Sequence, residues 1–125
     1  MELIKDSVSA TYNIQNYTPG TINISDQEYS HSILLMPERL SPWAVSHPES
    51  LTINHIESLL DYKPEIVIIG TGDKVSLPNS ELMTPITTQG IGCEMMSTLA
   101  ACRTYTILMA QMRNVLAALI IEPVV

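Results

Sequence analysis

The stretch Glu65-Ile66-Val67-Ile68-Ile69-Gly70-Thr71-Gly72-Asp73 decides the fold. Four consecutive β-branched apolar residues, Ile66 to Ile69, run into a Gly-x-Gly turn that ends on an acid. A run with no polar alternation predicts a strand, 65–69, covered on both faces, as in parallel sheets flanked by helices. In open α/β sheets the loops leaving the carboxyl ends of such strands are where ligands bind. The same nine residues therefore predict an α/β fold and mark a first candidate site.

Working outward toward the C-terminus, the pattern alternates between helix and strand. Thr52 predicts the N-cap of a helix with Ile53, Ile56, Leu59 and Leu60 on its apolar face, Lys63 in the last turn and Pro64 as its stop. After the glycine loop, Asn79 or Ser80 caps a second helix running to about Gln89, with Pro85 inside it and Gly90 as a C-terminal stop. Ile91 to Met96 reads as a short strand. Ser97 or Thr98 then caps the strongest helix, Leu99 to Arg113, with Leu99, Cys102, Thr106 and Met109 on one side. Ala100, Ile107, Leu108 and Met112 widen its apolar surface, which predicts cover on more than one face. Val115 to Ile121 is a second continuous apolar run and a second buried strand.

Toward the N-terminus the reading is β-rich. Tyr12 and Ile14 share one face of an extended segment, Asn16-Tyr17-Thr18-Pro19-Gly20 turns, and Ile22 and Ile24 continue the period of two. Ser25 to Glu28 turns again, and Tyr29 to Met36 is a third strand, giving an antiparallel meander. Residues 37–50, with Pro37, Pro42 and Pro48, read as an irregular crossing in which Trp43-Ala44-Val45 can add a short strand. Trp43 is read as a core plug, its sharper alternative being a partner-binding anchor. Together these segments predict a single three-layer α/β domain. N-terminal antiparallel strands lead into a mixed, partly parallel central sheet flanked by helices.

Length and composition fit that class. The 125 residues predict one domain, 1–125, with an ordered core over 10–122 and a flexible start at 1–9. Hydrophobic residues make up 46%, too many for a disordered chain, and no apolar run is long enough to span a bilayer. The start, Met1 to Asp6, has the layout of neither a signal peptide nor a transit peptide, so a cytoplasmic location without direct membrane insertion is expected. Thirteen acids against six scattered bases give a formal charge of −7. That argues against a nucleic-acid or anionic-membrane binder, since affinity for phosphate is carried by Lys and Arg.

Few residues suggest chemistry. Gly70, Thr71, Gly72 and Asp73 can form an anion-binding concavity of backbone N–H groups, with the Thr71 hydroxyl and the Asp73 carboxylate adding polarity. The plainer reading is a tight turn, because the dinucleotide fingerprint would need glycine where Val75 stands and Walker A spacing is absent. His31, His47 and His55 lie in separate elements without metal-ligand spacing, so neither metal nor cofactor is expected. Cys93 and Cys102 have no evident activating partner and read as inert thiols. Arg103, on a largely apolar helix, needs a carboxylate or carbonyl partner, with Asp73 or Glu94 as candidates. It joins Gly70, Thr71, Gly72 and Asp73 in the candidate ligand-binding set.

Several short motifs carry a resemblance when taken in order. They are Tyr17 to Ile24, the His31-to-Trp43 crossing with Leu34-Leu35-Met36-Pro37, Pro64 to Asp73, Gly90-Ile91-Gly92-Cys93-Glu94, Ala100 to Tyr105, and Val115 to Ile121. Over residues 10–122 the chain resembles the family of mitochondrial NADH:ubiquinone oxidoreductase (complex I) assembly factor 3 and its uncharacterised bacterial and archaeal relatives. The resemblance implies a three-layer α/β domain and, from the mitochondrial branch, a non-catalytic assembly role. Its partners would be proteins, among them respiratory complex subunits or assembly proteins, reached from the cytoplasm at the periphery of the inner membrane. Where relatives carry Asn after the tyrosine of the last helix, this chain has Thr106. The missing transit peptide places the resemblance on the prokaryotic branch. The competing expectation is a small-molecule or anion binder, or an enzyme, using the Gly70–Asp73 loop.

Overall fold

The computed structural model describes residues 11–75 and 80–124. The flexible start expected at 1–9 and the candidate cap Asn79 lie outside the described residues. Strand 65–69 appears as β6 (Ile66–Gly70), with parallel neighbours on both sides: β8 (Val115–Leu119) and β7 (Gly92–Met96). On the far side of β8 lies β4 (Ile33–Met36), antiparallel to it, and then β5 (Arg39–Pro42), giving the mixed order β5-β4-β8-β6-β7. A second, three-stranded antiparallel sheet holds β1 (Ile14–Thr18), β2 (Thr21–Ile24) and β3 (Gln27–Tyr29). The helices are α1 (Ile53–Leu59), α2 (Thr84–Thr87) and α3 (Thr98–Ala110).

The five-stranded sheet is the middle layer, and its side-chain alternation separates two cores. Ile33, Leu35, Ile68, Ala117 and Leu119 face α3 and the three-stranded sheet, meeting Ile22, Ile24, Ala101 and Tyr105. Leu34, Val67, Ile69, Leu116 and Ala118 face the other way, toward Ile56, Leu59, Ile86 and Trp43. Both faces of β6 and β8 are therefore covered, which explains the unbroken apolar runs in the sequence.

The details depart from expectation in several places, first at the turn expected over 16–20, which is only Pro19-Gly20 because Asn16 to Thr18 continue β1. The turn after β2 is only Ser25-Asp26, both at positive φ (48° and 70°), so β3 starts at Gln27. Such a two-residue turn matches the twist of its flanking strands. The expected third strand, 29–36, divides because its halves serve different sheets. The Trp43–Val45 strand is absent; the pairing partner of β4 is Arg39–Pro42, and Pro42 is tolerated because β5 is an edge strand. Trp43 and Val45 are buried in the core on the α1 side, as a core plug requires.

The second helix shrinks to a 3₁₀ turn, Ser80–Met83, followed by α2, in whose first turn Pro85 sits. Helix α1 is capped at Thr52, with His55 supplying the reciprocal half of the capping box: its ring Nδ1 accepts the Thr52 N–H at 3.0 Å. Its buried positions are Ile56 and Leu59, while Ile53 is 45% exposed. The chain beyond α1 tightens into a 3₁₀ turn, Leu60–Tyr62, and Lys63 closes it at φ 54°. Helix α3 is covered on one side only: Ala101, Cys102 and Tyr105 are buried, whereas Leu99 and Ile107 are 43% and 59% exposed. The helix packs on β6, β7 and β8 and touches β1, and the apolar residues outside that arc turn outward.

Candidate functional site

The loop after β6 is built by close approach. A Cβ at Gly70 would lie 2.9 Å from the Thr98 hydroxyl oxygen and 3.0 Å from the Thr98 Cα, so only glycine lets the start of α3 pack there. Gly72 has φ +98°, and a Cβ on it would lie 2.3 Å from Glu122 Oε1. Ser97 is the N-cap of α3, its hydroxyl accepting from Ala100 N–H at 3.3 Å. That leaves Thr98 to turn inward. Its hydroxyl accepts from Gly72 N–H and donates to Ile120 C=O, both at 2.8 Å, while its own N–H donates to Gly72 C=O at 2.8 Å.

The other loop amides are also engaged. Thr71, 1% exposed, donates its N–H to Met96 C=O at 2.8 Å and its hydroxyl to Lys74 C=O at 2.7 Å. Asp73 N–H donates to Glu122 Oε1 at 3.3 Å. The carboxylate of Glu122 thus occupies the side of the loop to which a bound anion would come, and His47 Nδ1 lies 3.5 Å from its other oxygen. In this arrangement Thr71, Gly72 and Asp73 spend their N–H groups on the fold, as a tight turn does.

Tyr17 connects this loop to a groove. Its hydroxyl donates to Asp73 Oδ1, and its ionisation is pushed up by burial first and by that hydrogen bond second, so it stays a neutral donor. Tyr17 also lines a groove of about 550 Å³ between β1 and α3, with Ile14, Leu99, Arg103, Thr106 and Ile107. Arg103 is exposed on this wall. The ion pairs among the described residues join Arg113 to Glu65 at 2.8 Å and His47 to Glu122, so the expected partners Asp73 and Glu94 do not pair with Arg103. Asp73 is held by Tyr17 instead. Thr106 bonds back to its own helix, donating to Cys102 C=O at 3.0 Å.

The structure therefore brings Gly70, Thr71, Gly72 and Asp73 together and sets Arg103 across Tyr17 from them. Sequence reasoning missed Tyr17, Thr98 and Glu122. Tyr17 was read as part of a turn, Thr98 only as a cap, and Glu122 lies beyond the last apolar run. The histidines are divided among the Glu122 contact, the α1 cap, and a His31 ring that meets the Ser32 carbonyl at 3.0 Å and Tyr29 edge-on. Among the described residues no group of three or more His, Cys, Asp or Glu is placed to hold a metal ion. Cys102 is buried and Cys93 half-buried, and burial pushes both thiols up, to about 12 and about 11.

A crystal structure of a Bordetella parapertussis protein superposes with a TM-score of 0.84 at 34% identity, covering 90% of this chain and 98% of that one. A Francisella tularensis protein called 13 kDa major membrane protein is 29% identical over 117 residues, 92% of this chain and 95% of its own. NADH dehydrogenase [ubiquinone] 1 alpha subcomplex assembly factor 3 of Danio rerio is 25% identical over 125 residues, 98% of this chain and 72% of its own. These relatives agree with a match over residues 14–120, and the chain belongs to the family described as protein of unknown function (DUF498/DUF598).

Proposed function

We propose that this chain is a non-catalytic interaction protein that supports assembly of a respiratory NADH dehydrogenase through protein partners. The observation that carries the reading is the similarity, over nearly the whole chain, to assembly factor 3 of Danio rerio. The groove between β1 and α3 supports it, since its apolar wall and exposed Arg103 are suited to a protein partner. In this reading Gly70, Thr71, Gly72 and Asp73 act indirectly: they hold Asp73 where it fixes Tyr17, and Tyr17 and Arg103 meet the partner. The protein works from the cytoplasm at the periphery of the inner membrane, held there by its partners. No helix among the described residues is long and apolar enough to cross a membrane.

The test is affinity purification of the tagged, full-length chain from native membranes and cytosol of its source cells. Subunits of an NADH dehydrogenase are expected in the eluate, and deletion of the protein should lower the amount of assembled complex on native gels. An eluate without such subunits, together with unchanged complex levels in the deletion strain, would overturn the reading.

A further inference from the structure

We propose that the groove between β1 and α3 takes an extended segment of a partner protein, added beside β1 and carrying an aliphatic, an acidic and an aliphatic residue at every second position. The proposal rests on the interaction-protein reading above and names the surface and the chemistry of what it holds. Strand β1 is the edge of its sheet, with β2 on one side and no strand on the other among the described residues. In an antiparallel ladder, alternate residues of an edge strand turn their N–H and C=O groups away from the partner strand, and these groups can accept another strand. Here that edge forms one wall of the groove, whose opposite wall is α3.

The α3 wall sets the side-chain chemistry. Leu99 and Ile107 are 43% and 59% exposed, one helical turn to either side of Arg103. They offer apolar contacts flanking a cation that has no ion-pair partner among the described residues. An extended segment presents every second side chain to one face, so an aliphatic residue, an Asp or Glu, and a second aliphatic residue at positions i, i+2 and i+4 match Leu99, Arg103 and Ile107 on this wall. The second groove of similar size, beside Met36, Met109 and Met112, differs in this respect. Its Arg39 stacks 4.8 Å over Tyr62 and its Arg113 is bound to Glu65.

A second copy of the chain fits poorly. Its own β1, Ile14-Gln15-Asn16-Tyr17-Thr18, holds no acid to meet Arg103. The bulge between Ile14 and Asn16 also breaks the edge, and Gln15 is tied to Asp26 by two hydrogen bonds of 2.7 and 2.8 Å. Bulges of this kind protect edges against self-pairing. The regular edge left for a partner is Asn16–Thr18, long enough to anchor a short segment while α3 supplies specificity.

The experiment is to pan a phage-displayed library of random heptapeptides on the full-length chain and to titrate synthetic copies of the enriched peptides by fluorescence anisotropy. Enriched sequences should carry Asp or Glu with an aliphatic residue two positions to either side, and should shift the amide resonances of Asn16, Tyr17 and Thr18. Arg103→Glu should weaken them about tenfold or more, the size of a lost charge-assisted contact. Ile107→Ser should weaken them as well, and both variants, being on the exposed side of α3, should keep the parent melting temperature. Arg103→Gln serves as a second variant should the charge reversal perturb folding. Absence of enrichment, enrichment of basic peptides, binding unaffected by these substitutions, or self-association through β1 in sedimentation would each overturn the proposal. If NADH dehydrogenase subunits still co-purify with the Arg103→Glu/Ile107→Ser variant, this surface falls while the functional reading stands. If acidic peptides bind along β1 but no such subunit ever co-purifies, the surface stands and the functional reading falls.

Discussion

Thr98 shows how much of the site depends on single hydroxyl groups. Its side chain is fully buried and joins the β6 loop, the start of α3 and the segment after β8. Thr98→Val keeps the shape but leaves Gly72 N–H and Ile120 C=O without that partner in a dry interior. Each orphaned group costs roughly 1–3 kcal/mol, so a loss of about 2–5 kcal/mol is expected in urea unfolding. Thr98→Ser retains the hydroxyl and gives up one methyl group, at a cost of about 1 kcal/mol. Equal losses for the two variants would mean that the hydroxyl does not join these segments. The thiols give a second test at this scale. Folding raises Cys93 to about 11 and Cys102 to about 12, by burial in both and by the neighbouring Glu94 charge at Cys93. A group raised on folding adds stability below its unfolded value, and that stability fades as pH climbs through the folded value. Stability should therefore decline from pH 9 toward pH 12, with Tyr17 and Tyr105, also raised, steepening the fall. Iodoacetamide at pH 8 should spare both cysteines in the folded chain and modify both in urea, read by mass spectrometry. Rapid labelling of Cys102 in the folded chain would show that its burial is only transient.

Elements differed in how much of them could be read from sequence. Strands β6 and β8 were legible because both faces are covered, and a doubly buried strand writes itself as an unbroken apolar run. Helices α1 and α3 were legible from their caps, Thr52 and Ser97, which act locally. The division between β3 and β4 was not, since residues 29–36 look like one strand until the sheets to which the halves belong are known. Strand β5 was hidden for a similar reason: Arg39, Leu40, Ser41 and Pro42 have little strand character and pair only because β4 offers its free side. The outward turn of Leu99 and Ile107 was equally hidden, because composition counts apolar residues without showing how many layers exist to cover them. The loop after β6 could be read from the glycines that follow the apolar run, yet its dependence on Glu122 and Tyr17, 49 and 56 residues from Asp73, is written in no local pattern.

At the scale of the molecule, the two cores share one sheet. Strands β4, β6 and β8 send alternate residues to both sides, so neither core can lose its packing without exposing the back of the other. This predicts a single cooperative unfolding transition, and the chain carries a probe for it. Trp43, the only tryptophan, sits in the core on the α1 side, whereas α3, the longest helix and the main source of far-UV ellipticity, packs on the opposite face. Tryptophan fluorescence and far-UV circular dichroism therefore report opposite layers, and their urea midpoints should coincide. Leu59→Ala, which opens a cavity on the Trp43 side, should cost about 2–5 kcal/mol and move both midpoints together. Ala101→Gly, on the α3 side, removes a buried methyl group and loosens the helix at a cost of about 1–2 kcal/mol. It should likewise shift the tryptophan signal, although Trp43 lies across the sheet. A substitution that moved one probe and left the other in place would show that the layers unfold separately, and that the central sheet does not couple them.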